Sequence, residues 1–281
     1  MNILPKEKQV QVINALVEGN SIRATARMVG VEHKTVMRVL PRTGDYCGRL
    51  LNEPKRRLPC KIVQMDEIWT YCGKKEKQVQ SSDDPEKVGD QYVFVAMDSE
   101  TKLIPSFRVG KRNAANTWYF VQDLAARLAN RIQLTSNGFR RYRDAVEDAF
   151  GAEIDYAMLV KLYTSDSGQP DTRYSPGEIV DAQPIPITGK PKTHLISTSH
   201  IERQNLTIRM QLRRFTRLTN AYSKKLENLN ADLAVHFAWY NFCRVHSSLR
   251  VAPPMEAGIT DHVWSIEEVA GLLAMPEELA A

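Results

Sequence analysis

The sequence predicts an α/β protein with a mixed β-sheet, preceded by a small helical segment. The first 40 residues carry apolar side chains at helical spacing. Three apolar strand candidates follow, and the polar turn at 98–102 joins the last two as a hairpin. After residue 112, helices and strands alternate, which implies crossover connections and parallel strands. The three strand candidates cover residues 61–71, 91–97 and 103–109.

The N-terminal segment 1–45 has the pattern of a helix-turn-helix domain. Ser21 is a good N-cap for its second helix, and Gly30 suits the turn, where a positive φ is easy without a Cβ atom. The third helix should run from about 32 to 40 and stop at Pro41. A generic three-helix bundle is the alternative. In the helix-turn-helix interpretation, the third helix offers four side chains to the major groove of DNA. These are His33, Lys34, Thr35 and Arg38.

The remaining chain divides by composition. Segment 46–59, with prolines and basic residues, is predicted to be a linker, and 60–250 to be the main α/β domain. An insertion at about 163–196 holds five prolines and shows little periodicity, which is typical of functional or disordered loops. The tail, 251–281, contains one short helix.

The order of helices and strands within 60–250 limits the number of possible folds. Three strands are followed by a helix, a strand, a helix, a strand and two long helices, and few folds share that order. The ribonuclease H-like fold is one of them. In it, acids gather at neighbouring strand ends and on a late helix, because two metal ions about 3.5–4 Å apart need carboxylate oxygens to hold them.

Acids and an amide stand at the corresponding places in this chain. Asp66 lies within the first strand, although alternation does not decide between it and Glu67. Glu202 lies on the first late helix. At the end of the fourth strand stands Asn137, which can offer a carbonyl oxygen but no charge, or simply cap the next helix. Asp166 is a possible substitute acid, and a turn residue is the alternative. For each acid, a solvated surface charge is the competing interpretation.

Basic residues cluster although the net charge is only +5. Between residues 201 and 225 there are seven basic residues and one acid, a pattern typical of phosphate binding or of a solvated helix face. A second run is Lys55, Arg56 and Arg57. The candidates for phosphate contacts near the acids are Arg203, Arg209 and Arg213.

Several protein classes are disfavoured. The four cysteines lack zinc-finger spacing, and the chain shows no secretory signal. No apolar run approaches the roughly 20 residues that a membrane span needs. We therefore expect a cytoplasmic protein without a membrane partner.

Four segments resemble the DDE transposases of bacterial insertion sequences, most closely the insertion sequence one family, over about residues 1–260. These segments are MDEIW, LTSNGFRRYRDAVEDAFG, SHIERQNLTIRMQLRRFTRLTNAYSKK and YNFCRVHSSLRVAPPMEAG. The resemblance implies that Asp66 is the first catalytic acid and Glu202 the third. Asn137 stands where the family carries its second acid, an aspartate.

The same resemblance implies a function. Two Mg²⁺ or Mn²⁺ ions would lie between Asp66, Asn137 and Glu202, and the reaction would be cleavage at transposon ends followed by transfer to target DNA. The partners would be double-stranded DNA and further copies of the chain, as a homodimer or larger assembly in the bacterial nucleoid. Asn137 predicts impaired catalysis. The alternative is a transposase-derived DNA-binding regulator without chemistry.

Overall fold

A mixed β-sheet forms the centre of the protein. The structure is a computed structural model that describes residues 4–52, 57–163 and 179–272. Within these ranges the sheet has six strands in the order β3-β2-β1-β4-β5-β6. The strands are β1 (Ile62–Cys72), β2 (Gly89–Asp98), β3 (Ser106–Gly110), β4 (Gln133–Asn137), β5 (Asp155–Tyr163) and β6 (Ile179–Thr188).

Helices cover both faces of the sheet. In the described ranges they are α1 (Lys6–Val17), α2 (Ile22–Val29), α3 (His33–Asn52), α4 (Ala114–Arg127), α5 (Arg141–Phe150), α6 (Ser199–Gln211), α7 (Leu226–Phe242), α8 (Pro253–Glu256) and α9 (Ile266–Val269). None of the helices in these ranges is long and apolar enough to cross a bilayer.

Strand directions confirm the predicted fold class. The pairs β1–β2 and β2–β3 are antiparallel, as the hairpin pattern predicted, whereas β1–β4 and β4–β5 are parallel. Helices α4 and α5 provide the crossovers that parallel pairing requires. This is a ribonuclease H-like α/β core with helices on both faces and a helical N-terminal region.

Two apolar layers, one on each face, follow from the alternation of β1. Ile68 faces a core that α1, α3, α6 and α7 also line. Val63 and Met65 face the other core, beneath α4 and α5. Because side chains alternate along a strand, Gln64 and Asp66 point to the α6 side and Glu67 to the α5 side.

The segment predicted to lack regular structure contains a strand. β6 pairs antiparallel with β5 at the edge of the sheet, with Met158 opposite Ile185. Most of its residues are exposed, so the segment shows no apolar alternation that would reveal a strand. Its prolines are tolerated because an edge strand can lack N–H donors on its outer side. Asp166, the possible substitute acid, lies outside the described residues.

The N-terminal helices begin as predicted. The side chain of Ser21 accepts a hydrogen bond from the backbone N–H of Ala24 at 3.1 Å, so it caps α2. Gly30 ends α2 with φ 68°, the left-handed conformation expected for this turn.

The prediction that α3 ends at Pro41 is wrong. The helix continues to Asn52, so residues 46–52 of the expected linker are helical. Burial explains this: Leu40, Cys47 and Leu51 pack into the core shared with α7, which offsets the hydrogen bond that a proline removes. The domain division near residue 45 stays a prediction, and Lys55 and Arg56 lie outside the described residues.

Gly44 permits the closest approach of α3 to α7. A Cβ atom on Gly44 would lie 2.5 Å from the Cα atom and 2.7 Å from the carbonyl oxygen of Ala231. We expect Gly44→Ala to lower the free energy of unfolding by about 1–3 kcal/mol, because backbone atoms must move apart.

Gly48, in the same helix, is the matched control. Nothing lies within 4 Å of a Cβ atom there. Gly48→Ala should raise the free energy of unfolding by roughly 0.5–1 kcal/mol through helix propensity alone. Urea denaturation followed by circular dichroism measures both variants, and equal effects would contradict the packing argument.

Candidate active site

A cleft of about 1410 Å³ opens where β1 and β4 run towards α6, and all three predicted site positions line it. Asp66 comes from β1, Asn137 from the last residue of β4, and Glu202 from the first turn of α6. The parallel pairing of β1 with β4, which sets Met65 opposite Ser136, brings Asp66 beside Asn137.

Gln64 fixes the start of α6 above the sheet. Its side-chain oxygen accepts hydrogen bonds from the backbone N–H groups of His200 and Ile201, at 3.0 and 3.1 Å. These groups belong to the first turn of a helix, where N–H groups lack partners within the helix. Gln64 is buried and lies on the same face of β1 as Asp66, so one strand positions both Asp66 and the helix that carries Glu202.

Two amides hold the carboxylate of Asp66. The Nδ2 atom of Asn137 donates to one carboxylate oxygen at 2.5 Å, and Nδ2 of Asn205 donates to the other at 2.8 Å. Burial, followed by the negative charges of Glu67 and Glu202, raises the pKa of Asp66 from 3.8 to about 7. Asn205 was not among the site residues predicted from the sequence, although it lies three residues after Glu202 and therefore near the same helix face.

Glu202 is held differently. Its carboxylate accepts a hydrogen bond from the hydroxyl of Thr198 at 2.7 Å and forms an ion pair with Lys161 of β5. The side chain of Lys161 is only 17% exposed, so this ammonium lies inside the cleft. No periodicity singled out Lys161, because the last residues of β5 are partly exposed on both faces.

Glu67 is bound by structural partners on the other face of the sheet. Its side chain is 3% exposed. It accepts hydrogen bonds from Arg112 Nε at 2.7 Å and from the Tyr142 hydroxyl at 3.0 Å. The guanidinium of Arg112 also lies 4.0 Å from the ring centre of Phe139. Asp66, which faces Glu202, is therefore the better candidate of the two adjacent acids.

The amide of Asn137 presents its donor to the acids. Besides Asp66, its Nδ2 atom contacts Glu67 at 3.2 Å, while its oxygen accepts the backbone N–H of Phe139 at 3.0 Å. The latter bond is an Asx-turn, as the Asn-Gly pair suggested. As placed, this side chain compensates negative charge and turns its oxygen away from Asp66.

The donor set fits one divalent cation. Asp66 and Glu202 both line the cleft and can supply carboxylate oxygens. Hard oxygen donors suit Mg²⁺ or Mn²⁺. A pair of ions needs a third acid to share the charge. No cluster of three His, Cys, Asp or Glu side chains in the described part of the chain is arranged to hold a metal.

The predicted DNA-contacting residues fall into two places. Of the four on α3, Thr35 is half-buried and the other three are exposed. A second cleft, of about 530 Å³, lies between α3 and the segment after α6, and His33 and Arg213 both line it. Arg203 is exposed on α6. Burial and then the charge of Arg217 lower the pKa of Arg209, whereas Asp66 opposes that shift, so Arg209 lies within electrostatic reach of the first cleft.

The first cleft also contains cations that were not predicted as site residues, namely Arg112, Arg140, Arg141, Arg143 and Lys161. Three of them form a short basic run at the start of α5, which is a visible local signal, whereas the other two are isolated in the sequence.

The raised pKa of Asp66 predicts a pH-dependent stability difference. Folded Asp66 holds its proton up to about pH 7, whereas the unfolded chain loses it near 3.8. The folded state therefore loses stability as the pH rises between these values. Asp66→Asn removes this loss, so the variant should gain stability relative to the parent chain as the pH rises from about 4 to about 7.

Urea denaturation of both chains in buffer with a chelator measures this difference. The lost acceptor for one of the two amides should cost the variant a pH-independent amount. A constant difference between the two chains across the pH range would contradict the raised pKa.

No protein-family model matches the chain, and no curated protein matches it significantly. Among solved structures it is similar to a Mos1 strand transfer complex, with 18% identity, a TM-score of 0.22, and coverage of 53% of this chain and 56% of that chain. It is also similar to a piggyBac transposase synaptic complex with hairpin DNA, with 11% identity, a TM-score of 0.44, and coverage of 98% and 71%. A Mos1 mariner paired end complex with Mn matches with 18% identity, a TM-score of 0.22, and coverage of 53% and 59%. The chain spans a little over half the length of the Mos1 chains. Likenesses this distant do not identify a function, which has to come from the chemistry of the cleft.

Proposed function

We propose that this chain is a DNA transposase of the DDE type whose metal-dependent strand cleavage and strand transfer are impaired by Asn137. The observation that carries the proposal is the meeting of Asp66, Asn137 and Glu202 in one cation-lined cleft of a ribonuclease H-like core. The four segments that resemble the insertion sequence one family support the same class. As in that resemblance, we place its action on DNA in the bacterial nucleoid.

The chemistry follows from the side chains. Asp66, oriented by two amides, and Glu202 would hold a divalent cation. When bound, such a cation activates a water or a 3′-hydroxyl and stabilises the leaving oxygen at phosphorus. The arginines of α5, which line the same cleft, would neutralise the DNA phosphates that enter it. Asn137 contributes no negative charge, so the cation is held by one acid fewer.

Asn137→Asp should create cleavage activity. The new carboxylate would replace the amide that now neutralises Asp66 and would add a third charged ligand. We expect Mn²⁺ affinity to rise at least tenfold, since charged ligands dominate binding of hard cations. Cleavage of duplex DNA carrying the element's ends should increase by at least a hundredfold.

Isothermal titration with Mn²⁺ and a gel assay of cleavage test this. The matched control is the double variant Asn137→Asp with Asp66→Asn, which should bind DNA and cleave nothing. A folded, DNA-bound Asn137→Asp chain that neither binds Mn²⁺ more tightly nor cleaves would remove position 137 from the site.

The proposed DNA surface joins α3 and the basic segment after Glu202. His33, Lys34, Thr35 and Arg38 would read end sequence in the major groove, and Arg203, Arg209 and Arg213 would contact phosphates. Its support is the second cleft, where His33 and Arg213 lie together.

Arg213→Gln should weaken duplex binding and flatten its salt dependence. Each lost phosphate contact reduces the slope of log affinity against log salt by about 0.9. Lys61→Gln is the control, because Lys61 is exposed at the opposite end of β1 from the cleft and pairs with Glu100. Fluorescence anisotropy across a salt series measures both variants. An unchanged slope for Arg213→Gln, or an equal change for Lys61→Gln, would contradict the surface.

Joining two DNA ends requires two sites, so the proposal includes a homodimer or larger assembly on DNA. Light scattering of the complex with end-bearing duplex measures the number of chains.

A regulator without chemistry is the second candidate. It is favoured by the contacts that satisfy the site without metal, namely Asn137 on Asp66 and Lys161 on Glu202. In that case the chain would bind ends and block them, and Asn137→Asp would stay inert while binding DNA normally.

A further inference from the structure

A row of aromatic side chains lies on the surface beside the first cleft. Trp69 is 40% exposed, and its ring centre lies 5.8 Å from that of Tyr71. The ring of Tyr71 lies 4.5 Å from that of Tyr222. The ammonium of Lys224 lies 3.0 Å from the centre of the Tyr222 ring. Three rings and a cation thus form one continuous patch. Single apolar residues scattered over a surface are ordinary, whereas a contiguous patch indicates a binding site.

The strand register explains why the row is open. The pairing of β1 with β4 ends at Met65 and Ser136, so the later residues of β1 extend beyond β4. Cys72 at the end of β1 forms a bridge with Ser223, and this brings Tyr222 against Tyr71. Alternation puts Trp69 and Tyr71 on the same face as Glu67.

The row connects the two clefts. Trp69 is one same-face step, roughly 7 Å, from Glu67. It lies opposite Tyr92 on β2, and the guanidinium of Arg112, which lines the first cleft, lies 5.7 Å from the Tyr92 ring. At the other end of the row, Tyr222 and Lys224 line the second cleft together with His33 and Arg213.

We propose that Trp69, Tyr71 and Tyr222 form a stacking platform for an unpaired nucleobase of the DNA strand that runs between the two clefts. This inference rests on the proposed function for its ligand class. Every base has a flat π-face that stacks on an aromatic ring, and flanking cations track the phosphates. In a paired duplex both faces of an internal base are covered by its neighbours, so only a base that has left the stack can lie on Trp69.

Charge distinguishes this occupant from a protein partner. Aromatic residues and arginine are common in protein–protein interfaces as well, but lysine is depleted there, so the lysine on Tyr222 is the charge that favours a phosphate-bearing ligand. Here cations lie at both ends of the row, Arg112 beside Tyr92 and Lys224 on Tyr222. That arrangement is complementary to a sugar-phosphate chain whose bases lie on the rings.

The test compares two DNA probes. One is a fully paired duplex, and the other is the same duplex with a single-stranded 3′ extension that carries 2-aminopurine. We expect Trp69→Leu to weaken binding of the extended probe by about tenfold, the effect of losing one stacked base. Affinity for the paired duplex should change less than twofold. The parent chain should quench the fluorescence of 2-aminopurine, and Trp69→Leu should not.

Trp118→Leu is the matched control. Trp118 on α4 is 43% exposed and packs edge-on against Tyr119, and Arg108 lies 4.7 Å from the Tyr119 ring. This Trp-Tyr-cation cluster lines neither cleft, so its loss should leave both affinities and the quenching unchanged. Tyr71→Leu, at a residue of the row that lines neither cleft, provides a second variant should Trp69→Leu unfold.

The outcomes separate the platform from the proposed function. Binding of both probes by the parent chain with no quenching, or equal losses on both probes in Trp69→Leu, would overturn the platform and leave DNA binding intact. Failure of the parent chain to bind either probe would overturn the proposed function as well. A Trp69→Leu chain that changes its oligomeric state but keeps both affinities would show that the row is a protein interface.

Discussion

The parallel pairing of β1 with the short strand β4 is the constraint on which the rest of the site depends. With Met65 opposite Ser136, Asp66 lies beside the last residue of β4, and the chain turns away there into α5. The same register leaves the second half of β1 without β4 as a neighbour, which opens the cleft and exposes the aromatic row. A slip of one residue would exchange the faces of Asp66 and Glu67 and would remove Gln64 from the start of α6.

Charge balance explains how the cleft tolerates its acids. Asp66, Glu67 and Glu202 are close enough for the latter two to raise the pKa of the first. Arg112 compensates Glu67, Lys161 compensates Glu202, and the amide of Asn137 donates to both Asp66 and Glu67. An aspartate at 137 would add a fourth negative charge to a partly buried cluster. Under the proposed function, asparagine would stabilise the metal-free fold by the same contacts with which it would weaken cation binding, an instance of the conflict between stability and activity at functional sites.

The central strands of the sheet are predicted from the sequence better than the helix ends, the edge strand and the side chains that surround the site. The strands β1, β2 and β3 and the crossovers were predictable because apolar periodicity records burial. The order of elements drew attention to the acids at 66 and 202, the family resemblance assigned their roles, and those roles stay a prediction. The predicted end of α3 at Pro41 was wrong because helix propensity is a local property and carries no information about the packing of α3 on α7. Gly44 permits that packing. β6 was missed because an exposed edge strand has no apolar pattern. Gln64, Asn205, Arg112 and Lys161 come from four separate elements, and only the folded chain brings them together around Asp66 and Glu202.

The length of α3 bears on how DNA binding and chemistry would be coupled under the proposed function. A flexible linker after residue 45 would let the N-terminal helices take many positions relative to the cleft, so binding there would fix little of the geometry at phosphorus. Instead, Val36 near the start of α3 and Leu51 near its end are buried in one core with Ile201 and Ile208 of α6. Glu202 and Arg209 adjoin these two residues of α6. Under the proposed function, a duplex held on the exposed face of α3 would have a set distance and direction to the cleft. Folding of the protein, and not each encounter with DNA, would then supply part of the entropy needed to orient the scissile phosphate.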